Sequence, residues 1–293
     1  MRDPSDPLLG PLSNSLPRPS YPMGANPSFM DLLQPGSQSN PSIPAADPRI
    51  EFAHGTTVLA MKFADGVVMA GDRRAVEGFN IADERIEKVF PADDLSAIGI
   101  AGAAGQATEI VRLFQTELEH YEKVEGDALS LEGKANRLAQ MIRQNFPFAL
   151  QGLIVVPLFA GYDPRRREGR LFRYDVTGGR WEEADFHATG SGGLHARATL
   201  KKRFRPGIDR ESAIRAAVEA LYDASQEDVA TGGPNVLRGI YPSVRTITAQ
   251  GVVTVPEDEL RTAFESVIGE SHETHPLRSP SPARENEEHE PSS

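Results

Sequence analysis

"EFAHGTTVLAMKFADG", Glu51 to Gly66, is where two textures of chain meet. Downstream of the Gly55-Thr56-Thr57 triplet, "TTVLAMKF" and "GVVMAGD" are short runs rich in β-branched and apolar residues. Ala64-Asp65-Gly66 lies between them, and Asp-Gly is hairpin-turn chemistry, so the pair predicts an antiparallel hairpin. Upstream, residues 1 to 50 mix Pro, Ser, Asn and Gly with isolated apolar residues (Leu8, Leu9, Phe29, Leu32, Leu33) at no sustained period. That composition predicts an extended or disordered leader.

Working outward, "SAIGIAG" (Ser96 to Gly102) predicts a third strand. Ile110, Val111, Phe114, Leu118 and Tyr121, then Leu131, Ala135, Leu138 and Ile142, recur at helical spacing and predict two amphipathic helices. Pro147, near the end of the second, predicts a kink or an early stop. "LIVVPLFAGYD" and "GRLFRYDVTGG" read as a further strand pair, followed by a helix from about Gly193 to Lys202 and a longer one from Asp209, a plausible N-cap, to about Val229. "VRTITAQGVVTVP" is a final hairpin turning at Ala249 to Gly251, and "RSPSPARENEEHEPSS" a polar tail. Strands, two helices, strands, two helices and strands, with consecutive hairpins, predict an α+β fold with antiparallel sheets.

Composition narrows the function classes. Of 23 prolines, 11 precede Thr56, and the net charge is -11 with no clustered basic face, which argues against a nucleic-acid binder. No apolar run approaches bilayer length, and "MRDPSDPLLGPLSN" lacks the apolar core of a secretory signal, so the expected location is cytoplasmic. With no cysteine, disulfides, a Cys nucleophile and thiolate metal sites are excluded. His54, His187 and His195 show no metal-ligand spacing, so no metal site and no cofactor are expected; "RRREGR", Arg165 to Arg170, reads as a solvated loop.

Two readings of Thr56 compete. In the plain one, Thr and Val favour a strand and Gly punctuates it. In the chemical one, Thr56 becomes the first residue of a mature chain, its hydroxyl the nucleophile and its freed amine the base. A hydroxyl is a weak nucleophile near neutrality, whereas an α-amine with a reference pKa of about 7.7 to 8.0 suits general-base work. Such a site needs a cation beside the amine, a carboxylate to orient the cation, and a backbone donor for the oxyanion. Lys88 in "ERIEKVF", Asp72 in "VVMAGDRRA" and Gly102 in "GIAGAAG" supply those types. Each alone has an ordinary explanation, and their combination favours the chemical reading.

The ordered segments "HGTTVLA", "GVVMAGDRRA", "IEKVF", "IGIAGAAG", "ELEHYEK", "AGYD", "ATGSGG", "AVEALYDA" and "DVATGGPNVLRGIYP" resemble the 20S proteasome β subunits, those of actinobacteria most closely, over about residues 54 to 268. The resemblance implies an N-terminal-nucleophile hydrolase fold, a four-layer αββα sandwich of two antiparallel sheets between helical layers. It implies three regions: residues 1–55 a propeptide removed by autolysis between Gly55 and Thr56, 56–270 the peptidase domain, and 271–293 a disordered acidic tail. It casts Thr56 as nucleophile, Asp72 and Lys88 as the pair tuning it, and the Gly102 N–H as oxyanion donor. Ser191, Asp228 and Thr231 become a supporting network, with Thr where many relatives have Ser. Ala75, Ile86, Ile100 and Ala104 match the specificity pocket and imply apolar substrate side chains.

The implied activity is that of a threonine endopeptidase acting on unfolded polypeptides. The implied partners are α subunits and other β subunits in stacked seven-membered rings, with a ring ATPase as activator. Two alternatives stay open: a catalytically silent β-type ring subunit, and a subunit of the simpler bacterial two-component ATP-dependent ring protease. The first is opposed by the presence of Thr56, Asp72 and Lys88 together, the second by "GDRRA" and the long leader.

Overall fold

A computed structural model of the chain describes residues 55–77 and 80–274. The expected leader up to residue 54, His54 and residues 275–293 lie outside the described residues. The opening hairpin forms as expected, β1 (Thr57–Phe63) pairing antiparallel with β2 (Gly66–Gly71) from Val58↔Gly71 to Phe63↔Gly66. Then follow β3 (Ala75–Glu77), β4 (Asn80–Asp83), β5 (Val89–Asp93), β6 (Ser96–Gly102), α1 (Ala104–Glu125), α2 (Leu131–Ala149), β7 (Val155–Asp163), β8 (Glu168–Tyr174), β9 (Arg180–Glu183) and β10 (Phe186–Gly190). The chain continues through α3 (Gly193–Arg203), α4 (Arg210–Glu227), a 3-10 turn (Val236–Arg238), β11 (Ser243–Thr248), β12 (Gly251–Thr254) and α5 (Glu257–Thr274).

Two five-stranded antiparallel sheets result, ordered β10-β1-β2-β11-β12 and β5-β6-β7-β8-β9, with β3-β4 a separate ribbon. β1 and β2 are apolar at consecutive positions because both of their faces are covered, and side chains alternate across a strand. Leu59, Met61, Val68 and Ala70 pack with α3, α4 and α5 through residues such as Leu200, Ala217, Leu221 and Phe264. Their neighbours Val58, Ala60, Val67 and Met69 pack on Ala97, Leu158, Ala160 and Leu171 of the other sheet. That sheet turns Ile98, Phe159 and Phe172 toward Phe114 and Leu118 of α1 and Leu138 of α2. Each Val, Leu, Ile, Met or Phe side chain among them, fully buried, contributes about 1.5–3 kcal/mol relative to exposure. None of the described helices is long and apolar enough to cross a membrane.

Two expectations are corrected, and several elements went unread. Helix α2 does not stop early: it runs through Pro147 to Ala149, because a proline in the last turn forfeits a single i→i−4 bond. Within "RRREGR", Arg170 is not solvated. Only 2% exposed, it is ion-paired to Asp163, Glu132 and Glu182. Alternation on β8 turns it inward, where three carboxylates compensate the buried guanidinium. Four strands went unread (β3, β4, β9, β10), as did β5, whose "VFPAD" carries a proline that masks the pattern. Helix α5 was also unread and runs from Glu257 to Thr274. Its first turn carries Glu257, Asp258 and Glu259, acidic residues suited to the positive end of a helix.

Candidate active site

Five of the expected site residues sit where an element ends and its backbone leaves the hydrogen-bond ladder. Asp72 follows the last residue of β2, Lys88 precedes β5, Gly102 closes β6, Ser191 lies between β10 and α3, and Asp228 is the C-cap of α4. The hairpin carries Asp72 back beside Thr57, whose N–H donates to Asp72 Oδ1 at 2.8 Å. Gly71 makes room for Lys88: a Cβ there would lie 3.3 Å from the Lys88 Cβ and 3.2 Å from Val58 and Val89.

Asp72 is fully buried, and four donors converge on it. Oδ1 accepts from Thr57 N–H and from Lys88 Nζ at 2.8 Å, and Oδ2 from the N–H groups of Arg74 and Gly232 at 3.0 and 2.9 Å. Lys88 Nζ also donates to the Arg74 carbonyl at 2.6 Å. Burial pushes the Lys88 ammonium below its ordinary value of 10.5, and the Asp72 carboxylate opposes that fall. The result is a compact cation held as an ion pair in a dry place, lining the same cavity as Thr56.

A second cluster closes over the other side of β1. Ser191 N–H donates to the Thr56 carbonyl at 3.0 Å, while Ser191 Oγ and Thr231 Oγ1 both donate to Asp228 Oδ2 at 2.5 Å. Gly190, opposite Thr57 in the register, lets β10 approach: its φ is +98°, and a Cβ would lie 1.7 Å from the Thr56 carbonyl oxygen. Thr56 is 6% exposed, and Gly55 is buried against Ala230.

One cavity joins the remaining residues. Gly55, Thr56, Lys88 and Gly102 line it together with Ala75, Ile86, Ile100 and Ala104, the four positions expected to form a substrate pocket. Gly102, with φ at +121°, has its Cα against the Ile154 carbonyl, where a Cβ would fall 2.0 Å from the oxygen. Sequence reading missed Phe90, Ala107 and Thr108 in this lining. The last two had a signal, since they stand three and four residues after Ala104 and so share its face of α1. It also missed Arg74, whose contribution is a backbone carbonyl and leaves no mark in side-chain chemistry. A larger cavity of about 350 Å³ opens on the far side of Arg74 beside Asn235 and Tyr241, away from Thr56 and Lys88.

His187 and His195 stand apart from this chemistry. Burial on β10 pushes His187 down to about 4, so it is neutral near pH 7. Among the described residues no group of His, Cys, Asp and Glu is arranged to hold a metal ion.

The family described as "Proteasome subunit" matches residues 52–238, and the chain belongs to that family. Its relatives include proteins named "Proteasome subunit beta" in three organisms. That of Acidimicrobium ferrooxidans is 63% identical over 207 residues, covering 71% of this chain and 76% of the relative. That of Streptomyces griseus subsp. griseus is 53% identical over 245 residues, covering 82% and 87%. That of Acidothermus cellulolyticus is 52% identical over 273 residues, covering 89% and 93%.

Proposed function

We propose that the chain is the catalytic β subunit of a 20S proteasome core particle, a threonine endopeptidase that degrades unfolded polypeptides inside a chamber of stacked α and β rings served by a ring ATPase. The observation that carries this reading is the buried Lys88–Asp72 pair, whose lysine lines one cavity with Thr56. A ring subunit that served structure alone has no use for a desolvated ammonium beside a threonine, since a buried ion pair is a weak source of stability. The three packed clusters support a four-layer αββα sandwich, with one sheet under α3, α4 and α5, the other under α1 and α2, and an apolar seam between them.

In this reading the Thr56 nitrogen begins as an amide with no basic lone pair. The Thr56 hydroxyl attacks the Gly55 carbonyl carbon, the Gly55–Thr56 C–N bond breaks as the acyl group passes to oxygen and the hydroxyl proton to the departing nitrogen, and water hydrolyses the resulting ester. The freed amine then takes the Thr56 hydroxyl proton while the oxygen attacks a substrate carbonyl, and the Gly102 N–H receives the oxyanion. The amine returns the proton to the leaving nitrogen, and water releases the acyl group. Lys88 keeps the amine's pKa low enough to serve as base, and Asp72 keeps Lys88 in place. The small and aliphatic lining at Ala75, Ile86, Ile100 and Ala104 suits apolar substrate side chains.

The test is the N-terminus of the assembled particle. Intact mass and N-terminal sequencing are expected to show a chain beginning at Thr56, and a peptide epoxyketone, which captures hydroxyl and amine together, is expected to label it once, at Thr56. An assembled, leader-bearing particle would move the chain to the silent-subunit alternative, and labelling at Ser191 or Thr231 would displace Thr56 as nucleophile.

Gly55 yields a sharper prediction. A Cβ at this position would lie 1.7 Å from the Ala230 Cβ and 2.7 Å from its Cα. The Gly55→Ala precursor therefore has to move its scissile carbonyl, and misplacing a reacting group by about 1 Å costs on the order of 100-fold in rate. The precursor is expected to accumulate, read as the fraction of chains retaining the leader over time. Adding Ala230→Gly relieves the nearer contact but not the one to Cα, so rescue is expected to be partial. Cleavage of Gly55→Ala at the wild-type rate would show that the buried position of Gly55 plays no part in the cut.

A further inference from the structure

Thr57, the residue after the nucleophile, makes more contacts with this site than a strand residue requires. It is fully buried. Its N–H is bound to Asp72, and its hydroxyl reaches the opposite cluster: Thr57 Oγ1 lies 2.7 Å from Thr231 Oγ1 and accepts from the Gly192 N–H at 2.9 Å. The direction of the hydroxyl bond follows from counting hydrogens. Thr231 has one, and it goes to Asp228 Oδ2, because a carboxylate oxygen accepts. Thr57 must therefore donate to Thr231, so the chain of bonds runs from Gly192 N–H to Thr57, to Thr231, to Asp228, where Ser191 also ends.

We propose that Thr57 is a positioning residue for the peptidase reaction: its hydroxyl clamps the Ser191–Gly192 turn to the Asp228–Thr231 turn, and so fixes both around the Thr56 main chain. The inference rests on the proposed function above. Packing leaves no slack in the clamp, because a Cβ on Gly192 would stand 2.6 Å from Thr231 Oγ1 and 2.7 Å from Thr57 Oγ1. Asp228 in turn is near enough to Lys88 to favour its charged form. The residue following the nucleophile thus touches both halves of the site, Asp72 through its backbone and Asp228 through Thr231.

A threonine chosen for strand propensity alone would be replaced by valine without loss, since valine has the same shape and favours strands at least as well. Valine here strands the Gly192 N–H without an acceptor and removes the donor to Thr231. The experiment therefore compares Thr57→Val, Thr57→Ser and Thr57→Ala in the full-length chain, assembled with its ring partners, using a short fluorogenic peptide. For Thr57→Val, kcat is expected to fall about tenfold or more with KM within about twofold, the pattern of a group that orients the base without binding substrate. The acidic limb of its kcat/KM profile is expected to shift, while Thr57→Ser stays close to wild type. Wild-type kcat and pH profile in Thr57→Val would overturn the proposal, and so would equal impairment of Ser and Val, which would assign the effect to shape. If Val and Ala accumulate as precursors, the yield of processed particle becomes the reading: Ser processed with Val and Ala blocked supports the clamp, and Ser blocked with them overturns it. Thr56→Ala is run beside these variants. Activity in Thr56→Ala would sink the peptidase reading itself, whereas an inert Thr56→Ala with an unimpaired Thr57→Val removes Thr57 alone.

Discussion

A Thr56→Ala chain is expected to keep its leader and to hydrolyse no peptide above background. The two losses share one cause in the proposed mechanism, since the hydroxyl that attacks the Gly55 carbonyl is the one that later attacks substrate. Fold and assembly are expected to survive. Thr56 holds its place through its backbone carbonyl, bound to Ser191 N–H, and through β1, whose pairing with β2 and β10 begins at the next residues. A chain that begins directly at Thr56 separates the two functions: it needs no self-cleavage and is expected to be active once assembled with α subunits. Complete rings of that chain that stay inert, alongside a full-length chain active with its leader attached, would refute the N-terminal-nucleophile reading. The measurements are intact mass and turnover of a fluorogenic peptide.

Lys88→Ala is expected to lower turnover by a factor of about 1,000 or more, toward the upper end of what a positioned acid–base group contributes. Asp72 would keep three backbone donors, from Thr57, Arg74 and Gly232. The stability cost is therefore expected near the lower end for breaking a buried pair, about 3 kcal/mol. Lys88→Arg is expected to fail as well, because a planar guanidinium cannot aim at both Asp72 Oδ1 and the Arg74 carbonyl from the place of a compact ammonium. Near-normal turnover by either variant, with processing confirmed, would remove Lys88 from the mechanism. The wild-type enzyme supplies a pH test of the same group. Since burial holds Lys88 below 10.5, the alkaline limb of kcat/KM that reports loss of its proton is expected below that value. The stability contribution has the opposite sign. Between the folded pKa and 10.5 the unfolded chain binds more protons, so this group's contribution to stability rises with pH while activity falls. A limb that tracked unfolding would therefore not be reporting Lys88.

Much of this molecule was legible in the order of its residues. The opening hairpin, β6, α1 and the cap of α4 follow from local rules: Asp-Gly chemistry, period-2 and period-3.6 patterning, and Asp209 accepting from Ser212 N–H. The short or half-exposed strands were not legible, because "AVE", "NIAD" and "RWEE" are too brief for a period to emerge and owe their form to a neighbouring strand. Arg170 shows the same limit from the side of charge. Its neighbours in sequence suggest solvent, and alternation on β8 together with Glu132 and Glu182 from other elements decides otherwise.

By itself the sequence determined the residue types of the proposed threonine-nucleophile site and part of the elements that carry them, because strand, helix and turn preferences are local. The tertiary structure decided which of those residues meet. Asp72 and Lys88 are 16 positions apart and pair because β2 ends where β5 begins, while Thr57 and Thr231 are 174 apart and share a hydrogen because α4 ends over β1. Propensity acts over a few residues. Contacts at such separations are set by strand register and by the packing of helices on sheets, through which buried polar groups must find partners the local sequence does not supply.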